Sequence, residues 1–311
     1  MLGLDSGDSR LGPRMGVRAP ASATRRFAFG GVGIELLIAR DLAWPLQAED
    51  ERFTLPVGST ATVADVACAV SVDASLPGPV HPDGDILRGS ALGGRIALEA
   101  AAARIDLVAL GPRRYAASAR VAPGARGLRA LLRAVSAAIL EREGGTTLHA
   151  AGVEVDGSAV VFLGPSGAGK STAARLSERA RSFADDHVAL VPTDTGWMAW
   201  GLPGGSPARM AQSGGTVFPL AALWRVQRGT GAPTAERLTG AAALFAVRAA
   251  VECDGLPETE AARLSTAARI AREVEVGAMH TVLGRPLTAE LTRGRSDAVV
   301  QHAATAGSPA A

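Results

Sequence analysis

The stretch VVFLGPSGAGKST, residues 160–172, decides the fold. Four apolar residues, Val160 to Leu163, lead into Gly164, Pro165, Ser166, Gly167, Ala168, Gly169, Lys170, Ser171 and Thr172. The order is strand, G-x-x-x-x-G-K-[ST], then the helix-compatible run Thr172 to Arg179, which is the arrangement of a phosphate-binding loop. Each residue type has a physical reason. Gly164, Gly167 and Gly169 let the backbone take positive φ and approach phosphate oxygens with no Cβ in the way. Successive backbone N–H groups at a helix start form an anion-binding concavity. Lys170 offers a point charge to the β- and γ-phosphates, and Ser171 a hydroxyl to Mg²⁺. Lys170 is also the only lysine among 32 basic residues. Arginine serves wherever a cation suffices, and lysine survives where a compact ammonium on a flexible stem is needed. Glycine is 37 of 311 residues, so the chance of this pattern forming around a single lysine is on the order of 0.002. The expected ligands are ATP and Mg²⁺.

Outward from the loop, Thr146 to Val155 and Ser158 to Leu163 read as two strands. They are joined by Asp156-Gly157, a favoured hairpin pair. His149 lies on the first of them; a lone histidine on an apolar strand is more often a packed core residue than a ligand. Fifteen residues beyond Lys170 stands Asp185-Asp186, between short strand-like runs. Phosphoryl transfer needs a carboxylate for Mg²⁺ and often another to orient or deprotonate the nucleophile. Adjacent side chains diverge, so this pair could supply both.

Taken together, Leu148 to Val191 (LHAAGVEVDGSAVVFLGPSGAGKSTAARLSERARSFADDHVALV) resembles the core of the HPr kinase/phosphorylase family. The shared pattern is a histidine strand, a turn, a strand, the loop, a helix and an acidic pair. That family's core is related to phosphoenolpyruvate carboxykinases, and it phosphorylates a serine of a partner protein. The resemblance implies proton handling at the serine hydroxyl by His149 and Asp185, and a magnesium site organised by Asp186 with Ser171. It extends weakly through Trp197 to Pro203 and Pro219 to Gly229, which look like stand-alone HPr-kinase-like proteins, some of them associated with maturation of ribosomal peptides, lasso peptides included. The chain departs from the family at Thr172, where the family's regulators carry Glu, and it lacks their later Glu-Ile-Arg-Gly segment; Ala208-Arg-Met-Ala211 is not a match. The family's phosphorylase activity and action on HPr therefore lie outside what the resemblance implies. The implied partner is a peptide or small-protein phosphoacceptor. Family analogues are often oligomeric, which leaves a homo-oligomer open. Two alternatives share the same core. One is a small-molecule kinase or carboxykinase-like enzyme, with Arg175, Arg209 and Arg225 as candidates for an anionic metabolite. The other is a non-catalytic ATP-dependent binding or assembly protein.

The rest of the chain sets the frame. Residues 1–26 and 293–311 lack periodicity and read as a disordered lead-in and tail. Residues 27–125 hold short apolar runs between Gly, Pro and Asp turns: Phe27 to Phe29, Ile34 to Ile38, Val63 to Val72, Arg95 to Ala100, Ile105 to Leu110 and Tyr115 to Val121. That spacing predicts a small antiparallel β-rich domain, with Ala97 to Ala103 ambiguous between strand and helix. Residues 126–292 read as the P-loop domain. It opens on an amphipathic helix (Leu128, Leu131, Leu132, Val135 and Ile139 on one stripe) and alternates strand with helix thereafter. Helices are expected over Thr234 to Cys253 and Glu258 to Glu273, and strands over Val188 to Val191, Trp197 to Trp200 and Leu223 to Val226. The expected class is α+β or α/β, a P-loop kinase core of the HPr kinase/PEP carboxykinase type behind a β-rich domain. Net charge of +2 argues against a nucleic-acid partner, which would require a basic stripe. Apolar runs fall short of a membrane span. Two cysteines, Cys68 and Cys253, build neither a disulfide framework nor a zinc cluster, and the N-terminus lacks a signal peptide's apolar segment, so the expected compartment is the cytoplasm with no membrane contact.

Overall fold

The computed structural model describes residues 22–39, 54–55, 63–76, 88–92, 94–100, 102–123, 125–177, 180–202, 217–230, 232–252 and 260–287. The chain is a mixed α+β protein with two sheets, mostly β, and four helices among the described residues. The reading of 293–311 as a tail lies outside the described residues. So does most of the lead-in, but Ser22 to Arg26 is already strand.

The first sheet is built from β1 (Ser22–Phe29), β2 (Val32–Ala39), β3 (Thr54–Leu55), β4 (Ala64–Val72), β5 (Arg88–Leu92), β6 (Arg95–Ala100), β7 (Ala103–Gly111) and β8 (Arg114–Val121), in the order β3-β1-β2-β4-β8-β7-β6-β5. It is not purely antiparallel as expected, because β2–β4 and β4–β8 pair in parallel. Alternation of buried and exposed residues marks a half-buried strand but does not encode the direction of its neighbour. The same alternation makes Ala97 to Ala100 strand rather than helix, with every second residue of β6 buried. Arg26, assigned by the sequence reading to the lead-in, is 6% exposed and paired with Asp65.

Helix α1 (Ala125–Arg142) packs its apolar stripe on this sheet. Leu128, Leu131, Leu132, Val135 and Ile139 join Phe27, Ile34, Leu36, Leu107 and Val121 in one core. That core also takes in Ala189, Val191 and Leu202 from the second half of the chain. Gly30, at φ 57 in the β1–β2 turn, lies so close to Ala189 that a Cβ would come within 2.7 Å of that residue's own. The first sheet and α1 therefore share a core with the second sheet.

The second sheet comprises β9 (Thr146–Val155), β10 (Ser158–Leu163), β11 (Arg181–Ala184), β12 (His187–Thr193), β13 (Gly196–Gly201), β14 (Val217–Arg228), β15 (Thr234–Arg237) and β16 (Glu275–Thr281). Its order is β10-β9-β12-β13-β14-β16-β15, with β11 on β9 and a further parallel pairing of β10 with β14. Asp156 at φ 46 and Gly157 at φ 82 form the β9–β10 turn, the twin positive φ that this dipeptide favours. One face is covered by α3 (Gly240–Arg248) and α4 (Glu260–Glu273), against Leu148, Val161, Val188 and Leu190. The other is covered by α2 (Lys170–Leu176) over Val153, Phe162 and Trp224, and by α1 over β12.

Two helical expectations are corrected. Helix α2 closes at Leu176 rather than near Arg179; Ser177 turns its hydroxyl back to the Ala173 carbonyl at 3.0 Å. The helix expected from Thr234 to Cys253 is shorter at both ends. Thr234–Arg237 is an exposed edge strand on β16, and the helix begins at Gly240 after Thr239 at φ −132. It ends at Arg248, because residues 250–252 leave it to pair with β9: His149 N–H donates to Ala250 O at 2.8 Å and Glu252 N–H to Thr147 O at 2.9 Å. Among the described residues no helix is long and apolar enough to cross a membrane. Cys68 is buried, and burial pushes its thiol up to about 12, an inert core residue; Cys253 lies outside the described residues.

One glycine in the middle of β9 is needed for packing. A Cβ on Gly152 would overlap the Phe183 ring, which in turn packs on Phe218 with centroids 5.3 Å apart. Gly152→Ala is expected to lower stability by about 1–3 kcal/mol, the usual cost of overpacking a filled core. A urea titration measures it; an unchanged midpoint would show that the ring can move away.

Candidate functional site

The loop leaves the end of β10 and its glycines take the backbone the sequence required: φ 145 at Gly164, 75 at Gly167 and 105 at Gly169. Among the described residues a Cβ on Gly167 would meet nothing within 4 Å, so its glycine is demanded by backbone conformation. The turn is closed by Ala168 N–H donating to Pro165 O at 3.1 Å. Lys170, 6% exposed, starts α2, and its ammonium donates to Gly164 O at 2.9 Å and Pro165 O at 3.2 Å. Ser171 and Thr172 are half-buried beside it. Arg175 folds back on this turn, donating to Ser171 O and to Thr172 Oγ1, both at 3.2 Å. Arg228, the last residue of β14, reaches the loop from the other side and donates to Gly167 O at 3.3 Å. Arg225 lies opposite Leu163 in the parallel register, and Arg209 lies outside the described residues.

The register then brings His149 to the loop. Leu163 pairs with Ala150, so Gly164 follows immediately beside His149. Along the other edge of β9, β11 and β12 run nearly end to end, with Asp185 and Asp186 between them. His187 is directly opposite His149, and Ala150 N–H donates to Asp186 O at 2.9 Å. Paired residues of neighbouring strands share a face. Both rings therefore lie on the face covered by α1 and α2, with centroids 6.1 Å apart.

Asp186 engages both rings. Its Oδ1 is 3.2 Å from His149 Nδ1, and its Oδ2 is 3.0 Å from His187 Nε2. Glu252 completes the cluster from the 250–252 segment. Its Oε1 lies 2.6 Å from His187 Nδ1, 3.8 Å from His149 Nδ1 and 3.7 Å from Arg133 of α1. The 2.6 Å approach is an ion pair between the Glu252 carboxylate and the His187 ring. Asp185 is half-buried and makes no side-chain hydrogen bond or ion pair with the described residues. Of the residues singled out by sequence, the structure thus brings together the loop, Lys170, His149 and Asp186, while Asp185 stands apart from His149's contacts.

The surroundings push the two histidines in opposite directions. Burial, then the Lys170 charge, hold His149 below its ordinary value, and Asp186 and Glu252 only partly oppose this. Burial alone would depress His187 too, but the carboxylates of Glu252 and Asp186 outweigh it and hold that ring above its ordinary value. Burial would raise Asp186, yet His187 brings it down to about 2; Glu252 is likewise lowered by His187 and Arg133 against its own burial. These directions favour a neutral His149 and draw His187, set between two carboxylates, toward its protonated form. A neutral imidazole whose Nδ1 faces a carboxylate carries its proton there and leaves Nε2 as a base. Pairs of groups pushed apart in this way mark acid–base assignments.

Sequence reasoning missed His187 and Glu252. Strand alternation from Ala189 and Val191 back to His187 was a usable signal for the first. Glu252 gave none, because it stood in a run read as helix.

A family model described as SynChlorMet cassette protein ScmC matches residues 128–231. The match spans most of α1, His149, the loop, the acidic pair and β14, and stops short of Glu252. No curated protein matches the chain.

Proposed function

We propose that this chain binds ATP at residues 164–172 and transfers the γ-phosphoryl group to a hydroxyl, most simply a serine of a peptide or small protein. The observation that carries the reading is the register that sets Gly164 beside His149, a neutral imidazole backed by a carboxylate. The residues fit a nucleoside triphosphate: the loop glycines take positive φ, no described residue lies within 4 Å of a Cβ at Gly167, and a largely buried ammonium sits at the turn. Backbone amides from Gly167 to Ser171 and the Lys170 ammonium would hold the phosphates. Ser171 and Asp185 would hold Mg²⁺, which when bound supplies charge neutralisation at the transferred group. His149 Nε2 accepts the proton of the incoming hydroxyl as its oxygen bonds to phosphorus, and ADP departs as the leaving group. Asp186 fixes the imidazole and stabilises its charged form. These roles exchange the two aspartates relative to the family resemblance, because both oxygens of Asp186 are committed to histidines.

The test is incubation with γ-labelled ATP, Mg²⁺ and the peptides encoded beside this gene. Phosphoserine on one of them is the expected result. ATP binding with no transfer to any peptide or metabolite overturns the reading. Cleavage of ATP only with an anionic metabolite would move the acceptor to a small molecule. A separate prediction distinguishes the aspartates. Asp185→Asn should raise the Mg²⁺ concentration needed for half-maximal rate by about 10-fold or more, whereas Asp186→Asn should lower the rate at saturating Mg²⁺. Equal Mg²⁺ dependence in both variants would return the metal to Asp186.

A further inference from the structure

We infer that His187 and Glu252 are positioning residues that set the orientation of Asp186 and thereby the tautomer of His149. This rests on the proposed phosphoryl transfer for its meaning, but not for its geometry. His187 is 3% exposed and lies between two carboxylates, one on each ring nitrogen. A buried charge is costly unless paired, and any core strand could have carried an apolar residue there. Ala189 and Val191, which follow on the same face, do.

The arrangement has a directional consequence. A lone aspartate can rotate and offer either oxygen to a neighbour. Here Oδ2 is held by His187 Nε2, so Oδ1 is the oxygen left for His149 Nδ1. His187 is held in turn by Glu252. The Glu252 backbone is fixed to Thr147 twice, which sets where its side chain starts: its N–H donates to Thr147 O at 2.9 Å, and its carbonyl accepts from Thr147 Oγ1 at 3.4 Å. Arg133 faces the same carboxylate from α1, and Lys170 acts on His149 from α2. The order of contacts is therefore Glu252, His187, Asp186, His149, each fixing the next. It joins a segment 103 positions away in sequence to the strand that bears the base.

The experiment uses the full chain and has two readouts. Long-range proton–nitrogen spectra of the histidine rings report the tautomer of His149 whether or not the protein is a kinase. In the unaltered protein a single Nδ1–H form is expected; in Glu252→Gln and His187→Asn a mixture of tautomers is expected. Steady-state kinetics is the second readout. Both variants should lose about 10–100-fold in kcat with KM for ATP within a few-fold, the usual scale for groups that orient a reacting residue. Glu252→Asp keeps the charge and should recover part of kcat; it also carries the test if Glu252→Gln does not fold. A His149 tautomer and kcat unchanged in the folded variants overturn the inference and leave a simple structural ion pair. If the unaltered protein transfers no phosphoryl group, the function falls while the tautomer result still decides the positioning.

Discussion

Lys170→Ala is expected to leave no measurable phosphoryl transfer, a loss of at least about 10³-fold, the upper range for removing one preorganised charge-stabilising donor. The ammonium is largely buried, at the turn where the loop meets α2, and its hydrogen bonds to Gly164 and Pro165 show how far it reaches back over the loop. No other lysine exists in the chain to substitute for it. Arg228 and Arg175 are near, but each points its guanidinium at a backbone carbonyl of the loop or its helix. Lys170→Arg is the sharper variant. It keeps the charge but replaces a point-like ammonium with a planar fork that the closed turn does not accommodate. It should fail as completely as alanine. ATP affinity by calorimetry and transfer by label incorporation check both, and near-normal activity of Lys170→Arg would show that the loop is not used in this way.

The second large effect is at His149, the proposed base. His149→Ala should lower kcat by about 10²–10⁴-fold, the range for a positioned general base. Asp186→Asn should approach the larger figure, because an amide can present an N–H to Nδ1 and so favour the wrong tautomer. The pH dependence gives an independent check. His149 must be neutral to accept a proton, and its surroundings hold it below the ordinary histidine value. Activity should therefore be level through neutral pH and fall only below about 6.5, the unperturbed value. Asp186 raises the His149 value, so its replacement by Asn should shift the acid limb further down even as the plateau drops. A limb that stays in place, or moves up, would mean that another group titrates.

Much of this site could be read in the sequence because its elements are local. The loop, its lysine, the Asp156-Gly157 turn and the spacing from His149 to Asp186 all lie within one run of strands, turns and a short helix, where residue type dictates backbone. What escaped depends on contacts between distant segments. Glu252 reaches the site only because the chain leaves a helix at Arg248 and adds residues 250–252 to β9, and apolar residues in that stretch satisfy helix and strand alike. The parallel pairing of β2, β4 and β8 was hidden for the same reason: alternation reports which face is buried, not which strand lies alongside. Arg26 read as part of a polar lead-in because its partner, Asp65, is far along the chain.

The core that joins α1 to both sheets has a consequence for how the molecule comes apart. Phe27, Leu132 and Ala189 belong to one packed cluster, so separating the sheets would expose apolar surface on both. Loss of either should release the other in a single all-or-none step. The chain carries its own reporters for this. Its one tyrosine, Tyr115, sits on β8 in the first sheet and donates to Glu143 just beyond α1, whereas Trp197 and Trp224 are buried in the second sheet. With Trp44, which lies outside the described residues, replaced by Phe, tyrosine absorbance and tryptophan emission should follow the same denaturation curve, with one midpoint for two reporters in different sheets.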